Sequence, residues 1–309
     1  MRLSSTPIVF SGASGMLGSA LRSVVLAAGA QVVQLVRRPP VSPAEIEWQP
    51  AAASQPLPAA ERLEGVSAAC HLSGANLDAR RWTPAFRREL VASRVGSTRA
   101  LAVALAGLRH PPRVLLAASA IGFYGNRGSE PLTEASAPGA GFMADLCQQW
   151  EAAAQPAVEA GIRVVHLRLG IVLGPGGALA RMLPVFRLGL GGPLGSGRQW
   201  MSWIALEDAV AAMRFALETE TLTGPVNLTA PAPATNAEFT RALARALHRP
   251  AVLPAPAFAL RLALGEMADE ALLASARVLP AKLASASFVF RHPALDQALA
   301  VALTPHALS

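Results

Sequence analysis

Apolar runs of strand length alternate with longer stretches of helical periodicity through the first half of the chain. Pro7–Ser11 reads as a buried strand, and Leu17–Ala28 carries a helical pattern that Gly29 ends in a C-cap role. Gln31–Val36 and Val66–Leu72 are the next strands, separated by a Pro- and Ala-rich stretch, Pro39–Ala60, that reads as loop. Phe86–Leu108 predicts a long helix, Arg113–Ala118 a strand, Phe142–Ala160 a helix and Gly161–Leu169 a strand. Such alternation predicts an α/β fold with a doubly wound parallel sheet of Rossmann type, covered on both faces.

Beyond residue 170 the texture changes. Gly174-Pro175-Gly176-Gly177 and Leu188–Gly197 are glycine-rich, Pro225–Pro233 is proline-rich, and Asn236–Leu247 returns to a helical pattern. We therefore expect a nucleotide-binding domain over 1–170 and a smaller C-terminal α/β substrate domain over 171–309. The two are partly interleaved, with segments near 200–225 returning to the first.

The strongest local signal is Ser11-Gly12-Ala13-Ser14-Gly15-Met16-Leu17-Gly18, a GxxGxxG loop between the first strand and the first helix. Small residues let the backbone turn sharply and approach a pyrophosphate, and the helix N-terminus offers free N–H groups. Gly12, Ser14, Gly15, Met16, Leu17 and Gly18 are thus expected at the cofactor. At the end of the second strand, where NAD binders carry a carboxylate, stand Val36, Arg37 and Arg38, with no acid before Glu45. A guanidinium there matches a 2′-phosphate, so Arg37, supported by Arg38, predicts NADP(H).

Composition narrows the chemistry. The chain has 309 residues, 52% hydrophobic and 15% charged, which excludes disorder as the main state. Two cysteines, Cys70 and Cys147, make neither a disulfide framework nor a cysteine-built zinc site, and His71, His166 and His292 show no metal-ligand spacing with each other or with carboxylates. No metal is expected. The formal charge is +7, but the arginines are scattered and aromatics are 5%, which argues against nucleic acid. With neither a signal-peptide pattern nor a membrane-length apolar run, the expected setting is cytoplasmic.

Further segments are His71-Leu72-Ser73-Gly74-Ala75-Asn76, Ser119–Gly125 (SAIGFYG), Cys147–Glu151 (CQQWE), Leu167–Pro175 and Phe186–Trp203. With the glycine loop, they make the chain resemble the extended short-chain dehydrogenase/reductase superfamily. The resemblance is closest to its epimerase-like NAD(P)-binding family with a C-terminal domain of unknown function. It implies a Rossmann domain binding NADP(H), with contacts from Val36 and Arg37, from Leu72, Ser73 and Gly74, and from Glu89 and Arg94. It also points to Asn76, Trp150, Arg198 and Trp203 as lining for a small-molecule substrate.

The superfamily's Tyr-x-x-x-Lys dyad is missing. Counting back from Glu151 puts Cys147 at the lysine position and Met143 at the tyrosine position, and Tyr124 and Lys282 are the only tyrosine and lysine in the chain. The arginine of the substrate motif GxGxQxRD is also replaced, by Met201. Tyr124 and Ser119 remain as catalytic candidates, one a proton donor, the other an orienting hydroxyl. Two readings stay open: an NADP(H)-dependent oxidoreductase or epimerase-like enzyme on a small substrate, or a non-catalytic NADP(H)-binding sensor or docking protein.

Overall fold

Seven strands form the central sheet of the computed structural model, which describes residues 7–50, 57 and 59–304. They are β1 (Ile8–Ser11), β2 (Val32–Val36), β3 (Glu45–Glu47), β4 (Ala68–His71), β5 (Val114–Ala120), β6 (Arg163–Leu169) and β7 (Gly224–Leu228). Their order is β7-β6-β5-β4-β1-β2-β3, and the pairs linking β3, β2, β1, β4 and β5 are all parallel. The order reverses between β1 and β4. That is the switch point at which open α/β sheets bind their ligands.

β1 is buried at all four positions, the first three of them apolar, as a strand covered on both faces must be. The chain then turns through the glycine loop into α1 (Met16–Ala27), which buries Gly18, Leu21 and Val25 on one face. At its end Gly29 adopts φ +85°, and the Gly29 and Ala30 N–H groups close back on the Leu26 and Val25 carbonyls in a Schellman-type end. Val9, Leu35, Ile46, Leu101, Leu105 and Leu115 share one apolar core.

Three elements differ from expectation, each for a local reason. The Pro- and Ala-rich stretch contains β3, too short to show a period of its own. The long helical pattern after residue 84 is α2 (Pro84–Val91), a π-helical turn (Ala92–Gly96) and α3 (Ser97–Ala106) in succession. Thr83 caps α2 by accepting from the Phe86 N–H, with Pro84 at its first turn. The pattern over 142–160 divides into α4 (Phe142–Ala152) and a short helix, Gln155–Glu159. Pro156 explains the break, since it has no N–H and its ring clashes with the carbonyl four residues back.

Two compact units divide the described chain. The first takes the residues up to Ala120, Asp145–Arg168 and Ala212–Val226, and the second takes Ile121–Ala144, Leu169–Ala211 and the residues from Asn227 on. The second has its own core of Leu173, Trp203, Phe239, Leu243 and Leu299. Its helix Asn236–Leu247 starts at a capping box in which Thr235 and Glu238 satisfy each other's backbone N–H groups. Among the described residues no helix is long and apolar enough to cross a membrane.

Candidate cofactor site

The loops after β1 and β4 meet at the switch point, and their closeness explains the glycines. Gly12 has φ +78°, and a Cβ there would lie 2.7 Å from the Leu72 carbonyl carbon. A Cβ on Gly18 would lie 2.1 Å from the Gly12 oxygen. The first glycine therefore makes room beside the β4 loop, and the third lets α1 pack against its own entry turn.

A cavity of about 760 Å³ opens here. Its lining includes Gly12, Ser14 and Gly15, then Val36, Arg37 and Arg38, then Leu72, Ser73 and Gly74. Nine of the residues expected at the cofactor are thus brought together from three separate strand ends. Met16, Leu17 and Gly18 sit in α1 instead, and Glu89 and Arg94 do not line the cavity. Ala13, Gln34, Leu35, Trp48, Pro50, Ala75 and Ser93 also line it and were missed. Trp48 and Pro50 follow the hidden β3, and Ser93 belongs to the π turn, so the signals that would have found them were those two irregular elements.

The two adjacent arginines have different fates. Arg38 donates to both oxygens of Glu45, at 2.8 and 2.7 Å, and Glu45 also accepts the Val41 N–H at 2.8 Å. These bonds hold the Glu45 carboxyl below its ordinary pKa and raise that of Arg38. Arg37 is exposed at the cavity rim and has no ion pair among the described residues. The acid that the sequence places seven positions away thus folds back onto Arg38, leaving Arg37 as the free cation of the pair.

Glu89 and Arg94 also separate. Glu89 is exposed and pairs with Arg80. The π turn carries Arg94 inward, where it is 7% exposed, donates to the Ala75 oxygen at 2.9 Å and stacks over Trp150 at 5.2 Å. Burial lowers its pKa to about 10, so it stays charged at neutral pH.

Behind this wall lies a buried ion pair. Arg168 donates to both Glu151 oxygens, at 2.8 and 2.9 Å, and the Ser119 hydroxyl donates to Glu151 at 2.7 Å. Cys147, at the position of the dyad lysine, is fully buried. Burial and the nearby Glu151 charge push its thiol up to about 12, so it is neither nucleophile nor base at neutral pH. The Trp150 indole donates to Thr98 Oγ1 at 2.9 Å.

In the second unit, Tyr124 is fully buried with its ring edge-on to Phe123. Its hydroxyl donates to Asn227 Oδ1 at 2.7 Å, while Asn227 Nδ2 donates to the Leu279 oxygen at 2.9 Å. The tyrosine proton is thus held inside a buried network. Trp203 is fully buried in the core of that unit, Met143 is buried, and Arg198 is exposed. Asn76, in the first unit, is exposed in a turn after the β4 loop. Among the described residues no group of three or more His, Cys, Asp or Glu could hold a metal ion.

Residues 8–228 match the model of the NAD-dependent epimerase/dehydratase family, and residues 255–302 match a domain of unknown function. The chain belongs to that family. An epimerase family protein of Mycobacterium bovis is 46% identical over 300 residues, 96% of this chain and 97% of that protein. One from Bacillus subtilis is 34% identical, over 94% of this chain and 96% of its own. The crystal structure of human epimerase family protein SDR39U1 with NADPH superposes with a TM-score of 0.87 at 33% identity, covering 96% of this chain and 99% of that one. The family fold accounts for the Rossmann-type sheet, the glycine loop and the cavity at the switch point.

Proposed function

We propose that this family member binds NADP(H) in the cavity between the β1 and β4 loops and acts as an oxidoreductase or epimerase-like enzyme on a small molecule. The observation that carries the reading is the free Arg37 guanidinium at the rim of a glycine-cradled pocket, with the neighbouring acid already committed to Arg38. A 2′-phosphate suits an unpaired forked cation, and the NADPH in the human relative's structure supports the same choice. The residues that would hold the dinucleotide are Gly12, Ser14 and Gly15 at the phosphates, Arg37 at the 2′-phosphate, and Leu72, Ser73 and Gly74 along the β4 loop. Bound there, the cofactor would supply a hydride.

A second reading is favoured by two specific observations. The Tyr124 hydroxyl is tied to Asn227, and the Cys147 thiol is sealed. Neither is poised to move a proton to a substrate. A non-catalytic NADP(H)-binding sensor or docking protein needs no such group.

One experiment tests the binding and separates the readings. NADPH is titrated by calorimetry, and its oxidation at 340 nm is followed with a panel of small carbonyl compounds. Binding with turnover supports the enzyme. Binding without turnover across the panel supports the sensor. No binding of NADPH refutes both.

A further inference from the structure

A chain of hydroxyls and one imidazole runs from the cavity wall into the interior. Ser73 lines the cavity and is hydrogen-bonded through its hydroxyl to Ser11. Ser11 and His71 are the last residues of β1 and β4 and lie directly opposite in the ladder. Ser11 Oγ is 2.7 Å from His71 Nδ1, and His71 Nε2 is 3.2 Å from Ser97 Oγ at the start of α3. The Ser97 hydroxyl also approaches the Ser93 oxygen at 2.7 Å and the Arg94 oxygen at 3.2 Å.

The inner end of this chain fixes the direction of every proton in it. Two carbonyl oxygens face Ser97, and carbonyls only accept. The shorter contact is the one to the Ser93 oxygen, so Ser97 donates there and its lone pair is left to accept from His71 Nε2–H. A neutral imidazole carries a single proton, and burial keeps His71 neutral by lowering its pKa to about 4. Nδ1 must then accept, so Ser11 donates to it, and Ser11 Oγ in turn accepts the Ser73 proton. The opposite polarity would deprive the Ser93 and Arg94 carbonyls of this donor and turn the Ser73 proton outward.

We propose that His71 is a positioning residue, held as its Nε2–H tautomer by Ser97, that makes Ser73 Oγ a hydrogen-bond acceptor toward the cavity. The ligand group it selects is a donor, a hydroxyl such as that of a ribose, and a bare acceptor at that spot is repelled. This rests on the nucleotide-binding reading above for the identity of the ligand, but the polarity of the chain does not depend on it.

The test uses full-length protein labelled with 15N at histidine, with the variants Ser97→Ala and Ser97→Thr. Long-range 1H–15N correlation reads the His71 tautomer, assigned as the histidine whose signals respond to Ser97→Ala, and calorimetry reads NADPH binding. The wild type and Ser97→Thr should both show the Nε2–H form and equal affinity. Ser97→Ala removes the inner acceptor, so His71 should switch to the Nδ1–H form and NADPH affinity should fall about tenfold, although Ser97 is not among the cavity-lining residues. A wild type in the Nδ1–H form overturns the proposal. So does a switched tautomer with unchanged affinity, or lost affinity with an unswitched tautomer. If Ser97→Ala does not fold, the wild-type tautomer decides. If the wild type binds no NADPH, the cofactor reading fails, and the tautomer alone decides the polarity of the chain.

Discussion

Replacing Arg37 by alanine removes an exposed guanidinium from the cavity rim and leaves the Arg38–Glu45 pair in place. A bond between charged groups contributes roughly 1.5–3 kcal/mol when shielded. Arg37 is solvent-facing, so about 1–2 kcal/mol is the better figure after screening. At 1.4 kcal/mol per factor of ten, NADPH affinity should fall about five- to thirtyfold. NADH lacks the phosphate and should lose less than about twofold. Arg38→Ala is the internal contrast. It strips Glu45 of its partner, and Glu45 is buried, so the damage should appear as a lower melting temperature with NADPH affinity nearly unchanged. Raising salt should weaken NADPH binding to the wild type more than to Arg37→Ala, because the contact is exposed. Calorimetric titration of both cofactors against the three proteins decides the matter. Equal wild-type affinity for NADPH and NADH, an equal loss of both in Arg37→Ala, or a larger NADPH loss in Arg38→Ala would refute the assignment of the 2′-phosphate to Arg37.

Three further predictions concern buried groups. His71 has a pKa pushed down to about 4 in the fold against about 6.5 unfolded, so the unfolded chain gains a proton that the fold refuses as pH drops. That stability is complete above pH 6.5 and is lost between pH 6.5 and 4, by about 3 kcal/mol in denaturant titrations, and His71→Gln should lack this slope. Glu151→Ala leaves the Arg168 guanidinium buried without its carboxylate and should cost about 3–5 kcal/mol of unfolding free energy; a loss under 1 kcal/mol would mean the pair is solvated. Tyr124→Phe removes the donor to Asn227 and should cost about 1–2 kcal/mol in the same assay while leaving NADPH affinity unchanged; a variant as stable as the wild type would contradict the buried network.

What the sequence makes legible and what it hides divide along physical lines. The glycine loop, the strand ends and the missing dyad were readable because each is local or a matter of counting. Gly12 needs a positive φ and no Cβ wherever the β4 loop comes so near, and a chain with one tyrosine and one lysine has no local pair to offer. Pairings between distant side chains were not readable. Glu45 lies only seven positions from Arg38, yet its reach back depends on β3, a three-residue strand inside a stretch of prolines and alanines that carries no periodic signal. The π turn shifts the register of one helix and so turns Arg94 inward while Glu89 faces out. No propensity scale records such an insertion, because it is set by what the side chain meets. The aim of Tyr124 was hidden for a further reason. Its position at the end of a central strand is what a catalytic tyrosine would have, but its hydroxyl partner is 103 residues away. Strand ends at a switch point gather catalytic groups and sealing groups alike, since both must fill the space where the sheet stops. Position within the fold therefore narrows the candidates, and the hydrogen-bond partner separates them: a hydroxyl whose proton already goes to a buried amide oxygen must break that bond before it can serve a substrate.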